Sequence, residues 1–251
     1  MGAARDPAPP ERLPRHIVLI PDGNGRWAAE RGKPTPEGHL AGARAVEAFL
    51  RVCRDWGVRV ATVWAFSTEN WERSGGEVDA IMNLIALYLR RNRGRFERED
   101  IRLRHIGRRD RIAHRYPRLD GLMARIEGET RGHDRFALNL ALDYGGRDEA
   151  LRAVGRLLAR GCPPEELTWE RLSDCLDTAG QPDPDLVIRT SGELRLSGIL
   201  PLQAAYAELV FPPRLLPEMR EEDFREAIRE FARRERRFGG RPGAAPEPGS
   251  E

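Results

Sequence analysis

Apolar and polar positions follow two rhythms along the chain, and the two take turns. His16–Ile20 is a short, branched, apolar run that stops at Pro21, the pattern of a buried strand. Over 36–56 the apolar residues Ala41, Ala45, Val46, Phe49, Leu50 and Cys53 fall at helical spacing, and Gly57 closes the predicted helix. A second strand is predicted at 58–66. Val78, Ile81, Met82, Leu84, Ile85, Tyr88 and Leu89 predict a strongly amphipathic helix over 77–89. Further strands are predicted at 101–106, 136–142 and 186–188, and helices near 111–130, 147–160 and 221–236. The stretch 161–184 reads as a helix with loops. Strands alternating with helices predict an α/β fold, a mostly parallel central sheet flanked by helices on both faces. In such sheets ligands bind beyond the carboxyl ends of the strands. The residues that follow each strand are therefore where chemistry is expected.

Composition narrows the picture. The 251 residues suffice for one sizeable domain, expected over 15–241. The tails 1–14 and 242–251 are rich in Pro, Gly, Ala and charge and are expected to be disordered. A net charge of +2 gives no field that would recruit nucleic acid, so no nucleic-acid partner is expected. No apolar run approaches the roughly 20 residues of a spanning helix, and no signal-peptide pattern precedes His16. A cytoplasmic protein is expected. Cys53, Cys162 and Cys175 are scattered, with neither disulfide-framework nor zinc-ligand spacing. Lys33 is the only lysine, so the basic side is almost wholly arginine, whose planar fork suits phosphate and carboxylate.

Three clusters leave strands. Pro21-Asp22-Gly23-Asn24-Gly25-Arg26-Trp27 places two glycines where backbone N–H groups can approach an oxyanion, beside an acid able to hold a divalent cation and an arginine able to pair with phosphate. Asp-Gly and Asn-Gly are also hairpin signals, but 26–31 reads as a helix start and offers no partner strand. The second cluster is Ser67-Thr68-Glu69-Asn70-Trp71-Glu72-Arg73. Helix capping by Ser67 or Thr68 accounts for one hydroxyl and leaves Asn70 and Arg73 unexplained. The third offers Arg189, Arg195 and several hydroxyls within nine residues, spacing that suits a diphosphate held by two guanidinium forks. Glu208 is an acid in an apolar setting, and an ion pair is its simplest use.

Residues 16–39, 64–78, 138–147, 185–211 and 233–240, with DGNGRW, FSTENW, RTSGELRLS and YAEL among them, resemble the signature regions of the cis-prenyltransferase family, the undecaprenyl diphosphate synthases and their relatives. The resemblance runs in order over about 15–241. It implies that fold, with an apolar tunnel, and an Mg2+-dependent condensation of isopentenyl diphosphate with an allylic diphosphate, farnesyl or geranyl. Asp22 would hold Mg2+ and handle the allylic diphosphate, with Gly23, Asn24, Gly25 and Arg26 cradling that group, His39 in the same site and Trp27 near the substrate. Asn70 occupies the position assigned to proton abstraction, surrounded by Ser67, Thr68, Glu69, Trp71 and Arg73. Arg189, Arg195, Leu196 and Ser197 would hold isopentenyl diphosphate, and Glu208 matches a second metal-linked acid. The 237–239 stretch resembles an element that completes the site across a homodimer. An amide is a poor base, so Asn70 is expected to orient a water or phosphate acceptor. Transient membrane contact is expected where the lipid product leaves. Ala43 and Ala65, small residues where a tunnel wall is expected, would leave room for the lipid.

The resemblance has gaps. Thr35 stands where many relatives carry an arginine, for which Arg31 could compensate; Pro21 replaces a common methionine and Ser74 a common proline. Leu194 replaces a polar residue, and Gly198-Ile199-Leu200-Pro201-Leu202 departs from the usual Asn-Phe-Leu-Leu-Trp. Two alternatives follow: a short-chain or irregular isoprenyl diphosphate synthase of the same fold, or a non-catalytic partner subunit. Retention of Asp22, Asn70, Arg189, Arg195, Ser197 and Glu208 speaks against the latter.

Overall fold

The computed structural model describes residues 8–234; the 237–239 element lies outside them. Six strands form one sheet: β1 His16–Ile20, β2 Val60–Ser67, β3 Ile101–Ile106, β4 Phe136–Tyr144, β5 Leu186–Arg189 and β6 Glu208–Val210. Their order is β3-β4-β2-β1-β5-β6, and every pairing is parallel. A parallel sheet is covered on both faces, and β1 is accordingly buried at all its positions. Alternation divides the strand between two cores. Ile17 and Leu19 meet α2 (Thr35–Asp55), α3 (Gly75–Arg98), α5 (Pro117–Glu129) and α8 (Glu221–Arg233) through Phe49, Met82, Met123 and Phe224. Val18 and Ile20 meet Tyr144, Ile199, Leu200 and Ala204 on the other face. Beside them α6 (Gly146–Ala159) and α7 (Trp169–Ser173) close a satellite core around Leu157, Leu172 and Cys175. α1 (Asn24–Ala29) and α4 (Arg109–Arg115) are short connectors.

Three elements differ from the reading of the sequence. The single helix expected near 111–130 is two, because Pro117 bars helical geometry at the residue before it and Tyr116 sits at φ −133°, ψ 60°. Helix α3 continues beyond residue 89 to Arg98 without apolar periodicity, supported by buried Phe96 and the Arg95–Glu99 pair. Strand β6, too short to show alternation, was not predicted.

A polar string threads the sheet interior. Burial lowers the pKa of His16 to about 4, against the opposing effects of Pro182 and Asp185, so the ring is neutral. The Pro182 carbonyl can only accept, so His16 Nδ1 donates to it at 2.8 Å. Nε2 then accepts from the Thr62 hydroxyl at 2.8 Å, and Thr62 accepts from Asn139 at 3.0 Å. Between pH 6.5 and 4 the unfolded chain binds a proton that the folded imidazole refuses. Stability is therefore expected to fall by roughly 3 kcal/mol as pH drops through that window. Urea titrations of wild type and His16→Gln at pH 7 and pH 4 check this: the variant should lose less, and an equal loss would assign the acid sensitivity elsewhere.

Candidate active site

The carboxyl ends of β1 and β5 are neighbours, with Ile20 opposite Arg189. After β1 the chain turns at Gly23, whose φ of +98° and whose missing Cβ, which would lie 2.3 Å from Ser191 Oγ, both demand glycine. The turn aims Asp22 at Arg189, Oδ2 to Nη2 at 2.9 Å, while Arg26 reaches Oδ1 at 3.3 Å. Thr190 Oγ1 accepts from the Asp22 amide and donates to its carbonyl, both at 2.8 Å, which locks the two strand ends together. Burial alone would raise the pKa of Asp22. The Arg189 hydrogen bond and charge, with help from Gly23 and Arg26, hold it below the ordinary carboxylate value.

At the end of β2, Ser67 caps a 3-10 turn over Thr68–Glu72. Its hydroxyl accepts from the Asn70 amide N–H, and its own N–H donates to Asn70 Oδ1 at 3.0 Å. Capping therefore explains Asn70 as well as Ser67, which the sequence reading did not foresee. The Ser67 donor also fixes the amide orientation, which leaves the Asn70 NH2 group, a donor, without a protein acceptor and on a residue that lines the pocket. Trp71 packs edge-on to Phe66 and stacks on Tyr116, with Arg115 4.6 Å from its ring. Ser74, in place of a proline, caps α3 by accepting from Glu77.

The third cluster is tied to Arg189, whose Nη1 donates at 2.7 Å to both the Arg195 carbonyl and Ser197 Oγ. This loop has left-handed backbone at Ser191, Ser197 and Leu200, costing about 1–3 kcal/mol each. It is held from outside. The Gly146 amide donates to the Gly198 carbonyl at 2.9 Å, and Gly146 leaves room for Pro201. Buried Gln203 donates to buried Glu149 at 3.0 Å and to Thr178 at 3.2 Å. Glu149 also accepts from Tyr144 OH at 2.5 Å and from the Asp177 amide at 2.8 Å. Burial raises its pKa despite these bonds. Glu149 and Gln203 escaped the sequence reading. The signal was an acid on the buried face of α6, in step with Gly146, Ala153 and Leu157.

These ends enclose a polar pocket of about 250 Å3, lined by Asp22, Asn24, His39, Ser67, Asn70, Arg73, Arg189 and Ser197. Asn24 Oδ1, His39 Nε2 and Arg189 Nε are buried there without hydrogen-bond partners, the pattern of a site awaiting a polar ligand. Asn24 Nδ2 lies 3.4 Å from His39 Nδ1, and His39 Nε2 lies 3.6 Å from Glu77. Burial lowers the His39 pKa, with Glu77 opposing and Arg73 assisting, and the ring is neutral. Pro21, Asn24, His39, Ala65 and Ile81 also line an apolar cavity of about 130 Å3 between α2, α3 and the sheet. Ala43 and Ala65 both face it.

Other predicted residues lie around the pocket. Arg26 is exposed and bridges Asp22 and Glu193, and Arg195 is exposed and pairs with Glu193 at 2.5 Å. Gly25 and Glu69 are exposed, Thr68 abuts Gly145, and Leu196 packs on the second core. Trp27 lies under Arg31 and Lys33. Arg31 is paired with Glu218 at 2.8 Å, and Thr35 opens α2 rather than sitting in a loop. Glu208 does not join Asp22 within one chain. It stands level with Leu186 and Ile17, at the amino ends of the strands, and pairs with Arg234 at 2.9 Å. Among the described residues no group of three or more His, Cys, Asp or Glu side chains could hold a metal ion. Mg2+ commonly takes one or two carboxylates and draws its other oxygens from phosphates, so Asp22 alone fits it when a diphosphate is bound. No helix among the described residues is long and apolar enough to cross a membrane.

Fold and pocket together define an α/β protein whose site has the shape and polarity to suit a ligand with an anionic head and an apolar tail. The family model described as "Putative undecaprenyl diphosphate synthase" matches residues 20–239. The chain is 44% identical over 228 residues to the isoprenyl transferase of Aquifex pyrophilus, covering 91% of this chain and 96% of that protein. It is 44% identical over 237 residues to the ditrans,polycis-undecaprenyl-diphosphate synthase ((2E,6E)-farnesyl-diphosphate specific) of Pseudomonas putida, covering 93% of each. Among solved structures, lavandulyl diphosphate synthase from Lavandula x intermedia, in complex with dimethylallyl diphosphate, superposes with a TM-score of 0.84 at 30% identity, over 90% of this chain and 98% of that one. A "probable undecaprenyl diphosphate synthase" from Campylobacter jejuni gives 0.75 at 31% identity, over 91% and 99%. The chain belongs to the undecaprenyl diphosphate synthase family of cis-prenyltransferases and is a prenyltransferase.

The Glu149–Gln203 bond can be tested apart from turnover. Gln203→Leu is expected to cost about 1–3 kcal/mol of stability by removing a hydrogen bond to a buried carboxylate, and to weaken binding of inorganic diphosphate measured by calorimetry. Unchanged stability and affinity would show that the loop holds its shape unaided.

Proposed function

We propose that the chain condenses isopentenyl diphosphate with an allylic diphosphate, farnesyl or geranyl, in a Mg2+-dependent reaction giving a Z-polyprenyl diphosphate. The observation that carries this reading is the shared wall between the polar pocket and the apolar cavity, which suits a diphosphate head and a prenyl tail. Asp22 would hold Mg2+ together with substrate phosphate oxygens, and the ion would supply charge neutralisation as diphosphate departs. Arg26, the Gly23–Arg26 backbone and His39 then bind the leaving group as its charge develops. Arg189, Arg195 and Ser197 fix the isopentenyl diphosphate so that its double bond meets the allylic carbon. The condensation releases one proton. An amide is too weak a base to keep it, so phosphate oxygens of the bound diphosphates would accept it, and Asn70 would orient them through its NH2 group.

A homodimer is supported by the outer face of α6, where Leu151, Val154 and Leu158 are 75%, 45% and 70% exposed on successive turns. In such a dimer Glu208 and the 237–239 element would act from subunit to subunit. Release of a lipid product implies transient contact between a cytoplasmic protein and a membrane. The likeness to lavandulyl diphosphate synthase favours a second reading, a short or irregular product.

Incubation with Mg2+, labelled isopentenyl diphosphate and farnesyl, geranyl or dimethylallyl diphosphate is expected to give labelled Z-polyprenyl products. No incorporation with any of these primers would sink the reading in favour of a partner subunit, and product length separates the two enzymes. Asn70→Ala is expected to lower kcat about 100-fold, the scale for losing a positioned donor; near-full turnover would remove Asn70 from the mechanism. Ala65→Leu, by filling the cavity wall, should shorten the products, and an unchanged ladder would clear Ala65 of that role.

A further inference from the structure

A second polar cavity lies at the other edge of the sheet, where the strands begin. It measures about 470 Å3 and is lined by Arg15, Arg59, Arg102, Arg104, His133 and Asp134. Strand pairing gathers these arginines. Arg15 and Arg59 immediately precede β1 and β2, and the Arg15 carbonyl accepts from the Arg59 and Val60 amides at 3.0 and 2.9 Å. Arg102, Ala137 and Val60 share one line of register across β3, β4 and β2, and therefore one face of the sheet. Ala137 and Val60 line the cavity too, and the small Ala137 leaves room between the arginines. At ~3.3 Å per residue, the run from Arg59 along β2 to Ser67 puts roughly 25 Å between this cavity and the catalytic pocket.

The charges here do not balance. Among the described residues, the Arg59 and Arg102 guanidiniums have no hydrogen-bond or ion-pair partner. Arg104 donates to the carbonyls of Asp177 and Ala179 at 3.1 and 3.2 Å, neutral acceptors that leave its charge in place. The Asp177 carboxylate is itself taken by Arg152 and Arg156. Arg15 reaches one acid, Asp185, at 3.7 Å, with its own side chain 65% exposed. Exposed Asp134 is the one carboxylate among the lining residues. Burial lowers the Arg104 pKa, and the charge of Arg102 lowers it further against Glu127 and Asp177, so the two guanidiniums repel each other. The opposite wall is fixed: Gln181 exchanges hydrogen bonds of 2.7 and 3.1 Å with buried Asn139, and Pro182 accepts from His16. A cleft lined by one sign of charge focuses its field on a counter-ion. One carboxylate can answer one guanidinium fork, whereas a phosphate or diphosphate carries several charges on tetrahedral groups and can answer more.

We propose that this cavity is a second anion-binding site, remote from the catalytic pocket, that takes a small phosphorylated molecule by its phosphate or diphosphate group. Arg59 and Arg102, whose donors are uncommitted, make the direct contacts, and Arg15 and Arg104 add charge from the flanking strands. The concave shape suits a small molecule better than a flat membrane surface. The site is independent of the prenyl-transfer reading, which uses the carboxyl ends of the strands.

The test is calorimetry of inorganic diphosphate on the full chain. Wild type is expected to bind two diphosphates, one at each edge of the sheet. The double variant Arg59→Ser, Arg102→Ser is expected to lose one of them, or to bind it at least about 10-fold more weakly, the scale for one charge-assisted hydrogen bond. Incorporation of labelled isopentenyl diphosphate, which depends on the other edge, is expected to stay at the wild-type level. Arg59→Glu, a change at an exposed position, is expected to act in the same way and decides should the double variant not fold. Equal stoichiometry and affinity in wild type and both variants would overturn the proposal. So would cosedimentation with phosphatidylglycerol vesicles that needs Arg59 and Arg102 while no diphosphate binds in the cavity, since the arginines would then serve a lipid headgroup. Wild-type protein that binds diphosphate in the cavity yet incorporates nothing would bear out this site and overturn the prenyl-transfer reading alone.

Discussion

The pairing of Asp22 with Arg189 is the constraint around which the site is arranged. A guanidinium 5% exposed cannot be left without an anion, and removing one member of such a pair costs about 3–5 kcal/mol. Asp22 meets that need in the free protein, yet it stays open enough to be shared with Arg26. Arg189 has further duties. It gathers the Arg195 carbonyl and Ser197 hydroxyl, so the loop after the fifth strand is organised by the side chain that neutralises the first strand's acid. Gly23 and Thr190 are the local means of bringing the two together. A bound diphosphate would enter this arrangement by exchange, taking over guanidinium contacts that carboxylates now occupy.

A parallel sheet makes such convergence inexpensive. Three chain segments far apart in sequence finish at one edge because β1, β2 and β5 run the same way side by side. The same geometry sends Glu208 elsewhere. It begins the short β6, so it shares the sheet with Asp22 while standing near the opposite edge. Cooperation between these two acids therefore requires a second molecule.

Much of this was legible in the sequence, for definable reasons. β1, β2 and α2 are long or apolar enough for periodicity to expose them, and the strand-end rule pointed to Asp22, Asn70 and Arg189 before any coordinates. The failures share a cause. Asn70 as a reciprocal cap, Glu149 and Gln203 as a buried strut, Glu208 at the far edge and the break at Tyr116–Pro117 all depend on what meets what in three dimensions or on a single backbone angle. Motif spacing names the groups that matter to chemistry. It is silent on which atom of a group is already engaged, as the Asn70 amide oxygen is by the Ser67 N–H.

The near-absence of lysine now has a consequence of its own. The cations at the pocket are guanidiniums, which keep their charge at any working pH. The carboxylate at its centre is held ionised by its neighbours, and the one imidazole is kept neutral by burial. Nothing in the pocket is poised to change charge near neutrality. Its electrostatic field is clamped, and a drift in pH around neutrality would act on a bound phosphate ligand through the ligand's own ionisation rather than through the protein.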